Sequence, residues 1–132
     1  MTYISYDDMR NKTFNKFSEV TRSGYLDIAN EQVEDLAEAL GIMDPSVSGT
    51  LIIPPHHTVK EYAINYCLSV FSADYIGINE VTVGENDKYQ DMFERSQYLI
   101  NQLKPRVTKE MLTGDVDEQS DRSVSFGRTW RG

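Results

Sequence analysis

Apolar positions recur at helical spacing along most of this chain, and punctuating residues divide them into segments. The first segment opens at Ser5-Tyr6-Asp7-Asp8, a hydroxyl followed three residues later by a carboxylate. That pair suits a helix N-cap, and acidic side chains suit the positive end of a helix dipole. Met9, Thr13, Phe14 and Phe17 then supply a buried face, and Ser23-Gly24 predicts a break. A second helix is expected over residues 30–40, because Val33, Leu36, Ala37 and Leu40 fall at i, i+3, i+4 and i+7. Gly41 stands where a left-handed C′ residue belongs.

Residues 42–57 form a long connection rich in turn formers. Within it Thr50-Leu51-Ile52-Ile53 is β-branched enough to predict a short strand, ended by Pro54-Pro55. Thr58-Val59-Lys60-Glu61 has the form of a capping box, so a third helix is expected from there to Gly77. Val59, Tyr62, Ala63, Tyr66, Val70 and Ala73 mark one face of it; Ile64, Leu68, Phe71 and Tyr75 mark another. A helix apolar on most sides is buried on most sides, which makes this one the expected centre of the fold.

Val81 and Val83 alternate like a second short strand. A fourth helix is then expected over residues 87–103, with Tyr89, Met92, Phe93, Ser96, Leu99, Ile100 and Leu103 as its stripe and Pro105 as its stop. Tyr66 and Val70 are expected to pack near Phe93 and Ile100. A last helical turn at residues 108–112 closes on Gly114. The whole pattern predicts a mainly α fold: a small helical bundle of about four helices, one or two short strands and an extended C-terminal arm. Residues 1–114 are the expected helical core domain, and residues 115–132 an acidic tether followed by a basic-aromatic arm.

Composition narrows the function. The chain has 132 residues, 39% hydrophobic and 26% charged, enough for one domain with a modest core. The formal net charge of −8 lacks the basic excess of a nucleic-acid binder. One cysteine, Cys67, excludes a disulfide within the chain and predicts a reducing compartment. Neither a signal peptide nor a run of 18 apolar residues is apparent, so neither secretion nor a membrane span is expected.

Motifs for chemistry are sparse. There is no phosphate-binding glycine loop and no GxSxG. Cys67 lies mid-helix among apolar residues, where a thiol is inert packing. His56-His57 lacks a further ligand nearby and is expected to be a solvated turn rather than a metal site. The acidic run from Asp115 lacks the glycine and the final carboxylate of a calcium loop: Ser120 and Phe126 stand in those places. No cofactor, metal or catalytic residue is expected.

Two surfaces remain. Glu31, Glu34, Asp35 and Glu38 repeat on one face of the second helix. Such a row is either an ordinary solvated face or a surface that repels DNA phosphates, with salt screening it within about 8 Å. In the tail, residues 115–121 carry four acids and residues 122–132 three arginines and no acid. Val124, Phe126, Arg128 and Trp130 alternate with small or polar residues, and Arg131 follows. Trp and Arg are enriched at interface hot spots, and the alternation suits strand addition to a neighbouring chain.

Three stretches carry a likeness taken together. They are the aromatic run Lys60-Glu61-Tyr62-Ala63-Ile64-Asn65-Tyr66-Cys67; Asp87-Lys88-Tyr89, opening a helix followed by Pro105-Arg106-Val107-Thr108-Lys109-Glu110-Met111; and Ser123-Val124-Ser125-Phe126-Gly127-Arg128. In this order the chain resembles the head-to-tail connector (neck adaptor, or head completion) proteins of tailed bacteriophages, over most of residues 58–132. The resemblance implies a structural protein of the virion neck, made in the host cytoplasm. It implies a homo-oligomeric ring, often a dodecamer, that binds the portal protein and tail or nozzle proteins and lets DNA pass without sequence-specific binding. The arm residues would then bind a partner, and Glu31, Glu34, Asp35 and Glu38 would be candidates to face the channel. A tail completion or terminator protein is the nearest alternative. An acidic regulator of a host protein, or a small enzyme with a site assembled between subunits, are readings from other classes.

Overall fold

The computed structural model describes residues 1–76 and 83–114, with the backbone alone over 83–87. A 3-10 turn at Tyr6–Asp8 is followed by α1 (Lys12–Asn15), α2 (Glu19–Ala39), α3 (His57–Tyr75), α4 (Val83–Leu103), a second 3-10 turn at Lys104–Arg106, and α5 (Lys109–Thr113). The fold is a mainly α, small helical bundle. Among the described residues there is no strand, and no helix is long and apolar enough to cross a membrane.

The start of the chain departs from a continuous first helix. Asp8 does accept from the Ser5 amide at 2.8 Å, as the spacing predicted, but the result is one 3-10 turn. Asn11 then caps a new helix, its Oδ1 accepting from Phe14 N at 2.9 Å. A short polar side chain that bonds its own backbone competes with helix continuation. The expected face is nonetheless buried, with Met9 and Phe14 in the core and Phe17 packed against it.

Ser23-Gly24 does not break the chain. α2 starts on the Ser18 cap and runs through both residues for 21 residues. Leu26, Ala29, Val33, Leu36 and Ala37 bury one stripe, and the packing outweighs the roughly 1 kcal/mol that an interior glycine costs. A Cβ at Gly24 would meet nothing within 4 Å. Gly24→Ala should therefore raise stability by about 0.5–1 kcal/mol. Denaturant melts check this; a loss of stability would mean that the glycine serves a close approach on this face.

At the other end of α2 the expected stop is present. Gly41 has φ +90°, its N–H bonds Glu38 O at 2.9 Å, and Ile42 N bonds Ala37 O at 3.0 Å. This is the Schellman arrangement, and the buried Ile42 supplies its apolar contact. Neither predicted strand is found where it can be checked. Of the backbone bonds from residues 50–53, Thr50 N to Val47 O at 3.1 Å closes a turn, and Ile52 N to Leu112 O at 2.9 Å ties the loop to α5 rather than to a second strand. Val83 and Gly84 belong to α4, which starts four residues earlier than expected; Val81 lies outside the described residues.

α3 is the centre of the bundle, packed most extensively against α4 and next against α2. Phe71 is its hub, fully buried. Its ring meets Phe14, Phe17 and Tyr25 edge-on at 5.1, 5.0 and 5.5 Å, Tyr75 at 5.2 Å and Tyr89 at 6.0 Å. One side chain thus joins α1, the segment after it, α2 and α4. Tyr66 packs on the core and Ile100 is in it, but Val70 and Phe93, expected to pack with them, are only half-buried and lie outside the core cluster.

Candidate functional site

A buried asparagine sets the first surface. Asn30 Oδ1 accepts from Tyr3 N at 2.7 Å and Ile4 N at 2.9 Å, and its Nδ2 donates to Leu26 O and Ile4 O. The N-terminal segment is thereby fastened along α2, and Tyr3 reaches the acidic face. Tyr3 Oη donates to Glu34 Oε2 at 2.8 Å, and the Met1 amino group lies 3.5 Å from the same oxygen. Burial first, and then the Glu34 bond, raise the Tyr3 pKa above its ordinary value. Of the four candidate channel-facing carboxylates, then, Glu34 is half-buried and engaged in holding the N-terminal segment. Glu31, Asp35 and Glu38 remain exposed, with Asp27 one turn before them. No lysine or arginine among the described residues is ion-paired with those three.

The second surface is a groove assembled from separate segments. The first 3-10 turn and the residues after it form one wall, and the N-terminal half of α3 forms the floor. One part, of about 660 Å³, is lined by Asp7, Asp8 and Arg10 from the wall and by Lys60, Glu61 and Ile64 from α3. A second part, of about 370 Å³, is lined by Lys88, Asp91, Met92 and Arg95 of α4. Asn11 and Leu68 line both parts, so the two adjoin at those residues. Lys60 Nζ is 3.3 Å from Asp8 Oδ1. The sequence carried no signal for this groove, because its residues are ordinary polar positions until three segments meet.

The histidine pair has a structural task. His56, rather than Thr58, caps α3: its Nδ1 accepts from Thr58 N at 3.1 Å. The helix start expected at Thr58 therefore lies two residues earlier, and with Val59 at the third helical position the cap is a single bond rather than a capping box. His57 faces the groove. Among the described residues no group of three or more His, Cys, Asp or Glu could hold a metal ion. Cys67 is fully buried, and desolvation pushes its thiol up to about 12, so it is protonated and unreactive at neutral pH. Asp74 accepts a 2.7 Å bond from Tyr25 Oη; burial and that bond raise the Tyr25 pKa. This pair links α2 to α3 on the surface and places no base beside a nucleophile.

Residues 115–132 lie outside the described residues. The arm candidates Val124, Phe126, Arg128, Trp130 and Arg131, the calcium-like run and the boundary at residue 114 are therefore not placed. No family model matches the chain, and no curated protein or solved structure matches it.

Proposed function

We propose that this chain is a structural head-to-tail connector of a tailed-phage virion, a ring-forming adaptor between portal and tail that extends the DNA channel. The observation that carries the reading furthest is the exposed carboxylate row on α2. Glu31, Asp35 and Glu38 share one face of a long helix, without cations paired to them among the described residues. A DNA conduit needs such a wall, because fixed negative charge repels phosphates and keeps the passing duplex from adhering. The helical bundle centred on the aromatic α3 and the basic-aromatic C-terminal segment are compatible with the reading. In it the arm is the adhesive that joins the chain to its neighbours, with portal and tail proteins above and below.

The row gives a direct test. Glu31→Lys, Asp35→Lys and Glu38→Lys together should leave the fold nearly unchanged, since exposed charges contribute little to stability. The assembled particle should then retain DNA on ejection, and the retention should weaken as salt rises, because each new cation releases counterions from the phosphates. Measuring ejected DNA over a salt series decides it. A variant that packages and ejects like the parent would reduce the row to a solvated face. The ring itself is checked by the mass of the full chain in solution, alone and with portal.

A further inference from the structure

We propose that the groove between the N-terminal segment, α3 and α4 receives the C-terminal tail of a second copy of this chain. The proposal rests on the reading of the tail as an adhesive, and it assigns the surface that the tail grips.

Groove and tail are both bipolar. In the larger part of the groove Lys60 is committed to Asp8, which leaves Asp7 and Glu61 against Arg10, an acidic balance. In the smaller part Lys88 and Arg95 stand against Asp91, a basic balance. Half-buried Ile64, Leu68 and Met92 supply apolar floor along both. The tail has the same two signs in succession: four acids over residues 115–121, then Arg122, Arg128 and Arg131 around Phe126 and Trp130. Laid from the α4 end toward the turn at Tyr6–Asp8, its acids meet Lys88 and Arg95. Its arginines then reach Asp7 and Glu61, and its rings lie over Ile64 and Leu68. Buried aromatic anchors would carry most of the affinity, and the charges would fix direction.

The place where the described chain ends selects a second copy over the chain's own tail. Gly114 packs directly on the side chain of Ile52. Ile53 lines a hollow together with Asp8 and Lys60, two residues of the larger part of the groove. The described chain thus ends against the segment that borders the acidic end of its own groove. Entering there, its acidic half would meet like charge first, and its arginines would come last to Lys88 and Arg95. A neighbour's tail can enter from the α4 end with every sign matched. The acidic run begins at Asp115, directly after Gly114, so the copy that gives the tail must place its Gly114 near the α4 end of the receiving groove. Each copy would give one tail and receive one, the head-to-tail arrangement that closes into rings.

Trp130 is the only tryptophan, so emission excited beyond the tyrosine band reports the tail alone. In the full-length protein at high concentration, Trp130 should emit at shorter wavelength and resist acrylamide quenching. On dilution it should become exposed. Asp7→Lys with Glu61→Lys should expose it at every concentration, and adding Arg122→Glu with Arg128→Glu should restore the shielding. Shielding that does not change on dilution would place the tail on its own body and overturn the proposal, as would a Trp130 exposed throughout or shielding indifferent to the groove variants. Sedimentation of the same samples separates this from the connector reading. Small assemblies with a shielded Trp130 support the groove while counting against a ring; rings with an exposed Trp130 do the reverse.

Discussion

Deleting residues 122–132 should leave the helical spectrum of the chain unchanged while abolishing its incorporation between portal and tail. Among the described residues the core cluster runs from Tyr3 to Leu112, with Phe14, Tyr62 and Phe71 among its fully buried side chains, so residues 1–114 carry a core of their own. Attachment is another matter. Ordering a tail costs on the order of 1–2 kcal/mol of backbone entropy per residue, which only well-filled pockets and main-chain bonds can offset. Phe126→Ala with Trp130→Ala should reproduce most of the loss. Hot-spot truncations cost about 2 kcal/mol or more each, and each such step is roughly thirtyfold in affinity. Ser125→Ala should do little. Cosedimentation with portal, or reconstitution followed by electron microscopy, measures the outcome. Normal docking by the truncated chain would move the interface onto the helical body and remove the arm from the account.

Phe71→Ala should be the most destabilising single truncation in the bundle. The ring is fully buried and touches aromatic side chains from α1, the segment after it, α2, α3 itself and α4. Such a change removes a large transfer contribution and leaves a cavity whose rigid walls cannot collapse, a cost of about 3–5 kcal/mol. At about 4 °C per kcal/mol for a chain of this size, the melting temperature should fall by roughly 12–20 °C. Val70→Ala, one position away but half-buried and outside the core cluster, should cost about 1 kcal/mol. Thermal melts of the two variants are the check. Equal losses would show that the aromatic hub does not organise the bundle.

How far the chain could be understood before its fold was known follows from the range of the interactions involved. Helix stops and starts made by neighbouring residues were legible. Gly41 and Gly114 adopt the left-handed φ values expected of them, and Thr108 caps α5 by accepting from Met111 N at 3.2 Å. Those contacts close within a few residues, so composition and spacing describe them fully. The dominance of α3 was legible too, because apolar residues on most of its sides leave burial as the only outcome. Local signals misled where a longer stripe could overrule them. Gly24 and Ser23 argue for a break, but an apolar face continuing to Ala37 is worth more than one glycine. The β-branched run at residues 50–53 argues for a strand, but among the described residues no strand lies beside it, and Ile52 bonds Leu112 of α5 instead.

The partners of polar side chains were decided by tertiary structure alone. Four carboxylates at helical spacing look equivalent along α2; only the path of the N-terminal segment, fixed by Asn30, withdraws Glu34 into a bond with Tyr3. Only the arrival of α3 beneath the N-terminal turn brings Glu61 beside Asp7, and only the packing of α4 on α3 adds Lys88 and Arg95 to the same groove. A polar side chain carries no spacing rule that forecasts a contact tens of residues away, whereas an apolar one announces its burial by period. The amino-acid order therefore marked the long helices, their glycine-capped ends and most of the core. Which exposed charges stay free, and which share a surface, was settled when the packing of that core brought distant segments together.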